Sequence, residues 1–152
     1  MRLCCSGHVP NDSIKHQLVR NRLYDNTCNT RSCPVCPHGR IGDCTKAGVV
    51  YQIECMACHV MYIGETGRPL GVRINEHLSG KRRLSIITPL GKHRRDDHED
   101  NDFDIKCTIL AFESSTPARK ALEACFIISR NPRMNGRNEH LSITSDFLPY
   151  LP

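Results

Sequence analysis

The chain has 152 residues, ten cysteines and a formal net charge of +5. A chain of this length buries roughly 68–70 % of its unfolded surface, so a core needs no disulfide staples, and there is no room for two full domains. Hydrophobic residues at 39 % and charged residues at 24 % argue against wholesale disorder, and no apolar stretch approaches the roughly 20 residues that cross a bilayer.

The opening Met1-Arg2-Leu3-Cys4-Cys5-Ser6-Gly7-His8 lacks an apolar run, so no secretory signal is expected. The cysteines then read better as reduced thiols and metal ligands than as a disulfide framework. The basic excess suits a polyanionic partner without demonstrating one. No membrane and no small-molecule substrate is expected.

Residues 1–25 read as a lead-in in which Ile14, Leu18 and Leu23 predict a short helix over Ser13–Tyr24. Residues 26–47 are poor in large apolar groups and cannot build a core alone. Their cysteines are spaced Cys28-x4-Cys33-x2-Cys36-x7-Cys44. Four thiolates on a short loop can close a tetrahedral zinc site, and metal binding would supply the folding energy that the composition lacks. Pro34 and Pro37 stiffen the turn around Cys33 and Cys36.

Residues 48–63 predict a β-hairpin. Val49, Val50, Tyr51 and Ile53 form one strand, Val60, Tyr62 and Ile63 the other, with Cys55-x2-Cys58 at the tip. Gly64 and Gly67 are expected to break the second strand. Pro69 opens a helix running to about Ser79, with Leu70, Ile74 and Leu78 as the buried stripe and Arg73 and His77 on an adjacent face. Residues 80–101 form a charged connection with a short helix from Pro89. Phe103–Phe112 predict a third strand. Thr116 as N-cap and Pro117 in the first turn start a last helix, with Leu122, Cys125, Phe126 and Ser129 along one side, ended by Asn131-Pro132. The tail 138–152 is expected to lie over the surface. The order predicts an α+β domain: a small antiparallel three-stranded sheet flanked by helices, preceded by a Cys-rich, zinc-knuckle-like segment.

Val49-Val50-Tyr51, Tyr62-Ile63-Gly64, Arg73-x3-His77, Glu123 and Asn135 together resemble the GIY-YIG nuclease family over about residues 48–137. Tyr62–His77, YIGETGRPLGVRINEH, is the most specific piece. The first motif departs from the family pattern: Gly48 stands one position early. The Cys55-x2-Cys58 pair between the tyrosine motifs is similar to the endonuclease domain of Penelope-like retroelements, where such a pair is joined by two downstream histidines; His93-x4-His98 fits. The Cys-rich stretch resembles the linker that precedes that domain.

The resemblance implies a metal-dependent DNA endonuclease working with one catalytic Mg²⁺ or Mn²⁺. It assigns that ion to Glu123, phosphate contact to Arg73, orientation of water or phosphate to His77, the general base to Tyr51 or Tyr62, and a bracing hydrogen-bond role to Asn135. It implies a structural zinc on Cys55, Cys58, His93 and His98, while a rival reading gives His93 to phosphate binding beside Lys92. Lys81, Arg82, Arg83, Lys92, Arg94, Arg95, Arg119, Lys120, Arg130 and Arg133 are the expected DNA contacts. The supposed substrate implies an intracellular, nuclear location. A zinc-dependent nucleic-acid-binding or protein-interaction module without catalysis is the alternative.

Overall fold

A run of branched and aromatic residues with no polar interruption, Val49-Val50-Tyr51, suits a strand covered on both faces, and it forms the start of β1 (Val49–Cys55) at the centre of the sheet. The computed structural model describes residue 28 and residues 30–136. Within them, β2 (Met61–Thr66) and β3 (Ile105–Phe112) flank β1, both antiparallel to it. Tyr51 stands opposite Gly64 and Ile53 opposite Tyr62, so both tyrosines share one face as diagonal neighbours. On the other side Tyr51 pairs with Ile109 and Ile53 with Cys107, and a bulge in β3 falls between the partners of Val50 and Tyr51.

Three helices follow the expected order: α1 (Leu70–Arg82), α2 (Pro89–His98) and α3 (Thr116–Arg130). Leu70 and Ile74 of α1 and Leu90 of α2 join Tyr51, Ile53, Tyr62 and Cys107 in the larger core. Full burial of such aliphatic side chains stabilises by about 1.5–3 kcal/mol each. The opposite face is covered by α3, where Ile127 packs with Val50 and Ile63. The sheet is thus sandwiched, and the tyrosine face belongs to α1. Burial pushes the Cys107 thiol up to about 12, which makes it an inert core residue.

Several boundaries differ from expectation. β2 is not broken at Gly64 but runs on to Thr66. α1 extends to Arg82, and its buried face runs through Leu70, Ile74, His77 and Lys81, with Leu78 only half-buried. Thr116 is the first residue of α3 rather than its cap; Ser115 takes the extended cap position. Ser129 is exposed, and the buried positions of α3 are Arg119, Ala124 and Ile127. The helix predicted over Ser13–Tyr24 and the tail 138–152 lie outside the described residues.

The Cys-rich segment folds as two short 3-10 turns, Cys36–His38 and Asp43–Thr45. It packs into the domain: Val35 is fully buried in the main core. The Lys46 carbonyl accepts from the Leu70 N–H at 2.8 Å, so this segment satisfies a donor at the start of α1 that no side chain caps. Gly48 carries a positive φ of 64°, and a Cβ there would meet the Glu113 carbonyl oxygen at 3.0 Å. The backbone therefore favours glycine at position 48.

Candidate active site and metal clusters

The tyrosine face of the sheet and the inner face of α1 bring four chemistry-bearing side chains together. Tyr51 Oη lies 2.8 Å from His77 Nε2, and Arg73 Nε donates to the same oxygen at 3.3 Å. The Tyr62 ring packs edge-on to His77 with centroids 5.2 Å apart, and the two tyrosine rings lie 6.5 Å apart. Gly64 makes this approach possible. A Cβ there would sit 2.7 Å from Tyr51 Oη and 2.9 Å from Tyr62 Cε1, so any side chain would push the phenols aside.

Electrostatics assign the protons. Burial lowers the His77 pKa to about 4, with Arg73 adding to the effect and Glu76 opposing it. The imidazole is therefore neutral at pH 7 and accepts through Nε2. Since Arg73 already donates to Tyr51 Oη, the phenol proton points to His77. Burial holds the Tyr51 phenol well above its ordinary range and Tyr62 adds to this, while Arg73 pulls the other way. Arg73 is also paired with Glu76 at 3.0 Å, and Glu76 is held by Arg68 at 2.9 Å. Arg68 first and then Arg73 keep that carboxyl below the usual range.

Asn135 sits on the far side of β2. Its carboxamide exchanges two hydrogen bonds with Ile63, accepting from the N–H at 2.9 Å and donating to the carbonyl at 2.8 Å. The Met134 N–H donates to the Met61 carbonyl at 3.1 Å. This segment occupies an otherwise open sheet edge beside Tyr62. Glu123 is half-buried on α3, the helix that covers the opposite face of β1 and β2. Among the described residues, the groups of three or more close metal-ligating side chains all contain cysteine. A catalytic divalent ion on Glu123 would therefore rest on one carboxylate with water and phosphate, a donor set that Mg²⁺ accepts.

Among the described residues there are two such groups, and both are sets expected from the sequence analysis. In Cys55, Cys58, His93 and His98, Cys58 Sγ lies 3.3 Å from His93 Nε2, Cys55 Sγ 3.4 Å from His98 Nε2, and the two Nε2 atoms 3.1 Å apart. Zinc bonds of about 2.3 Å to sulfur and 2.0–2.1 Å to nitrogen put tetrahedral donors roughly 3.3–3.8 Å apart, so this set fits zinc. His93 Nδ1 binds Asp97 at 2.6 Å, which fixes the tautomer that leaves Nε2 as a ligand. Phe103 floors the set, its ring centroid 5.3 Å from that of His93 and 4.7 Å from that of His98. His93 is buried there, against the rival reading that gave it to phosphate. In Cys28, Cys33, Cys36 and Cys44 the sulfurs all lie within 4.8 Å of one another, and the Cys36 N–H donates to Cys33 Sγ at 3.5 Å. Four thiolates at this spacing also fit zinc.

Asp97 and Phe103 were not singled out from the sequence as parts of a site. Asp97 had a signal, one helical turn beyond His93, whereas Phe103 acts through the packing of its ring against the two histidines.

Of the expected DNA contacts, Arg82, Arg83, Lys92, Arg95, Lys120, Arg130 and Arg133 are exposed. Three are corrected. Lys81 is buried, donating to the Phe103 carbonyl and pairing with Asp102 at 2.9 Å. Arg119 is buried and pairs with Glu65 at 2.5 Å. Arg94 is largely covered and donates to the Asp100 and Lys81 carbonyls at 2.9 and 3.3 Å. Their charge is already used inside the fold.

No curated protein and no solved structure matches the chain. Residues 47–138 match the family described as the GIY-YIG catalytic domain. That span holds the convergent Tyr51, Tyr62, Arg73 and His77, the carboxylate of Glu123 and the bracing Asn135, and the chain belongs to the GIY-YIG family.

Proposed function

We propose that this chain is a metal-dependent DNA endonuclease that nicks one strand per active site, nearest to the endonuclease domains of Penelope-like retroelements. Membership of a nuclease family supports the broad class. The observation that carries the finer reading is the convergence of Arg73 and neutral His77 on one phenol oxygen, with Tyr62 packed against His77. What supports the Penelope-like placing is the gathering of the Cys55, Cys58, His93 and His98 donors.

In this reading Glu123 would hold a divalent ion, whose charge, when bound, would stabilise the developing negative charge at phosphorus and at the departing oxygen. The residues do the rest. Arg73 is about one-third exposed, so its guanidinium can reach a phosphate while its Nε stays on Tyr51. Its planar fork suits two phosphate oxygens, and the incoming phosphate would take over the place of Glu76. The general base is one of the two phenols. The hydrogen bond from Tyr51 to neutral His77 Nε2 orients the phenol, and the Arg73 guanidinium beside the same oxygen favours the phenolate that a base requires. The two zinc sets are structural, tying the hairpin tip to α2 and the Cys-rich turns to the core. A nuclear location follows from the substrate.

The test is nicking of supercoiled plasmid by the full chain in Mg²⁺ or in EDTA, beside Glu123→Gln and Arg73→Ala. Both substitutions are expected to lower the rate by about 100-fold or more, with thermal stability and zinc content unchanged. Undiminished cutting by both variants overturns the assignment. Plasmid binding without cutting by the unaltered chain would favour the inactive binding module.

A further inference from the structure

Ile86 and Ile87 lie between α1 and α2 and are 60 % and 90 % exposed. A single exposed aliphatic residue needs no explanation. An adjacent pair held out by a rigid loop does. Leu84 takes a positive φ of 53°. The Leu84 N–H donates to the Lys81 carbonyl at 3.2 Å, Ser85 to Gly80 at 3.1 Å and Thr88 to Ser85 at 3.1 Å. Gly80 and Gly91 let the two helix ends close on the loop. A Cβ on Gly80 would sit 2.4 Å from Thr88 Oγ1, and one on Gly91 2.3 Å from the Ser85 carbonyl oxygen. The loop is thus pinned at both ends, and the isoleucines cannot fold inward.

Their surroundings are cationic. Arg82 and Arg83 precede the pair, Lys92 and Arg95 follow it, and all four are exposed. A groove of about 360 Å³ beside the pair is lined by Lys92, Arg133 and Asn135 among others. Asp96 and Asp97 also line it, but Asp97 is engaged by His93 at 2.6 Å and Arg133 at 3.8 Å. Asn135 connects this groove to the strand that carries Tyr62.

We propose that Ile86 and Ile87 form a wedge that enters duplex DNA between adjacent base pairs next to the strand being cut, while the flanking cations hold the phosphates on either side. A partner that is polyanionic outside and apolar between its stacked bases matches an apolar tip with a basic rim. The inference deepens the nuclease reading and rests on it for the cutting step. It makes locally distorted duplex the favoured substrate, because a distorted site has already lost stacking that the wedge must otherwise break.

The test compares the full chain with Ile86→Ser/Ile87→Ser and Ile86→Leu/Ile87→Leu. Binding is read on short duplexes that carry 2-aminopurine at successive positions, whose fluorescence rises on unstacking. Cutting is read on an intact and on a bulged duplex. The unaltered chain and the leucine variant should raise the fluorescence; the serine variant should not. The serine variant should nick intact duplex about 10-fold or more slowly, yet nick bulged duplex within about twofold of the unaltered chain. Equal fluorescence in all three proteins, or equal loss of cutting on both substrates, overturns the proposal. So does a change in oligomeric mass with no change in either DNA readout, which would mark a self-association face. A fluorescence rise without any cutting by the unaltered chain upholds the wedge and fails the nuclease reading.

Discussion

Tyr51 Oη is shared by a cation that donates to it and an imidazole that accepts from it. This arrangement depends on His77 staying neutral, which makes the residue a source of pH dependence. In the unfolded chain its imidazole protonates near the ordinary value of 6.5, in the fold only near 4. Between those values the unfolded chain binds more protons, so this contribution to stability is constant above about 6.5 and declines as pH falls toward 4. A shift of this size corresponds to about 3 kcal/mol at the acid end. Urea unfolding of the unaltered chain and of His77→Gln at pH 7 and pH 4.5 should show a smaller pH dependence in the variant. Equal slopes would mean that His77 does not hold its neutral state in the fold. Glu76 shows the same reasoning by charge: a Glu76→Gln variant loses the carboxylate that competes with phosphate for Arg73, so DNA should bind more tightly, read as a lower KM with kcat little changed.

At the level of elements, the outer edge of β2 is closed by a side chain. One carboxamide supplies both the donor and the acceptor that a neighbouring strand would offer to Ile63. Asn135→Ala leaves that N–H and carbonyl without these partners and should lower unfolding free energy by about 1–3 kcal/mol. Hydrogen exchange at the Ile63 amide should rise in the same variant; an unchanged exchange rate would show that the edge is held by other contacts. α1 shows how polar residues can continue a buried stripe. Lys81 reaches the end of a buried stripe but directs its ammonium to Phe103 and Asp102, which line the start of β3. Helical spacing points to Leu70 and Ile74, while the burial of His77 and Lys81 depends on what stands opposite them.

At the scale of the whole fold, the described residues hold two cysteine-containing sets that bring chain segments together. One joins the hairpin tip to α2, where Cys58 and His93 are 35 positions apart in sequence. The other gathers the Cys-rich turns against α1 and the main core. Metal analysis of the purified chain should find two zinc ions, falling by one in Cys55→Ser and by one in Cys33→Ser. Chelation at neutral pH should lower Tm by about 10 °C or more, since binding energy for such sites is folding energy. A chain that retains its Tm after complete zinc removal would show that packing alone holds both segments.

The sequence by itself determined the α+β order, the two tyrosine strands, the Arg73–His77 helix and the clustered cysteines, through short-range signals: strand-forming runs, four-residue helical spacing and Cys-x2-Cys pairs. The pairing of His93 and His98 with Cys55 and Cys58 came from the family resemblance, not from spacing. The tertiary structure decided which cations remain free. Lys81, Arg94 and Arg119 are chemically the same as Arg82 or Lys92, and only the carboxylates and carbonyls brought beside them by distant segments take them out of the surface. It also decided that β2 continues through Gly64, because the missing side chain makes room for a phenol from the neighbouring strand. The exposure of Ile87 belongs to the same class: an apolar residue reads as core until the backbone around it is pinned in a shape that leaves it no core to enter.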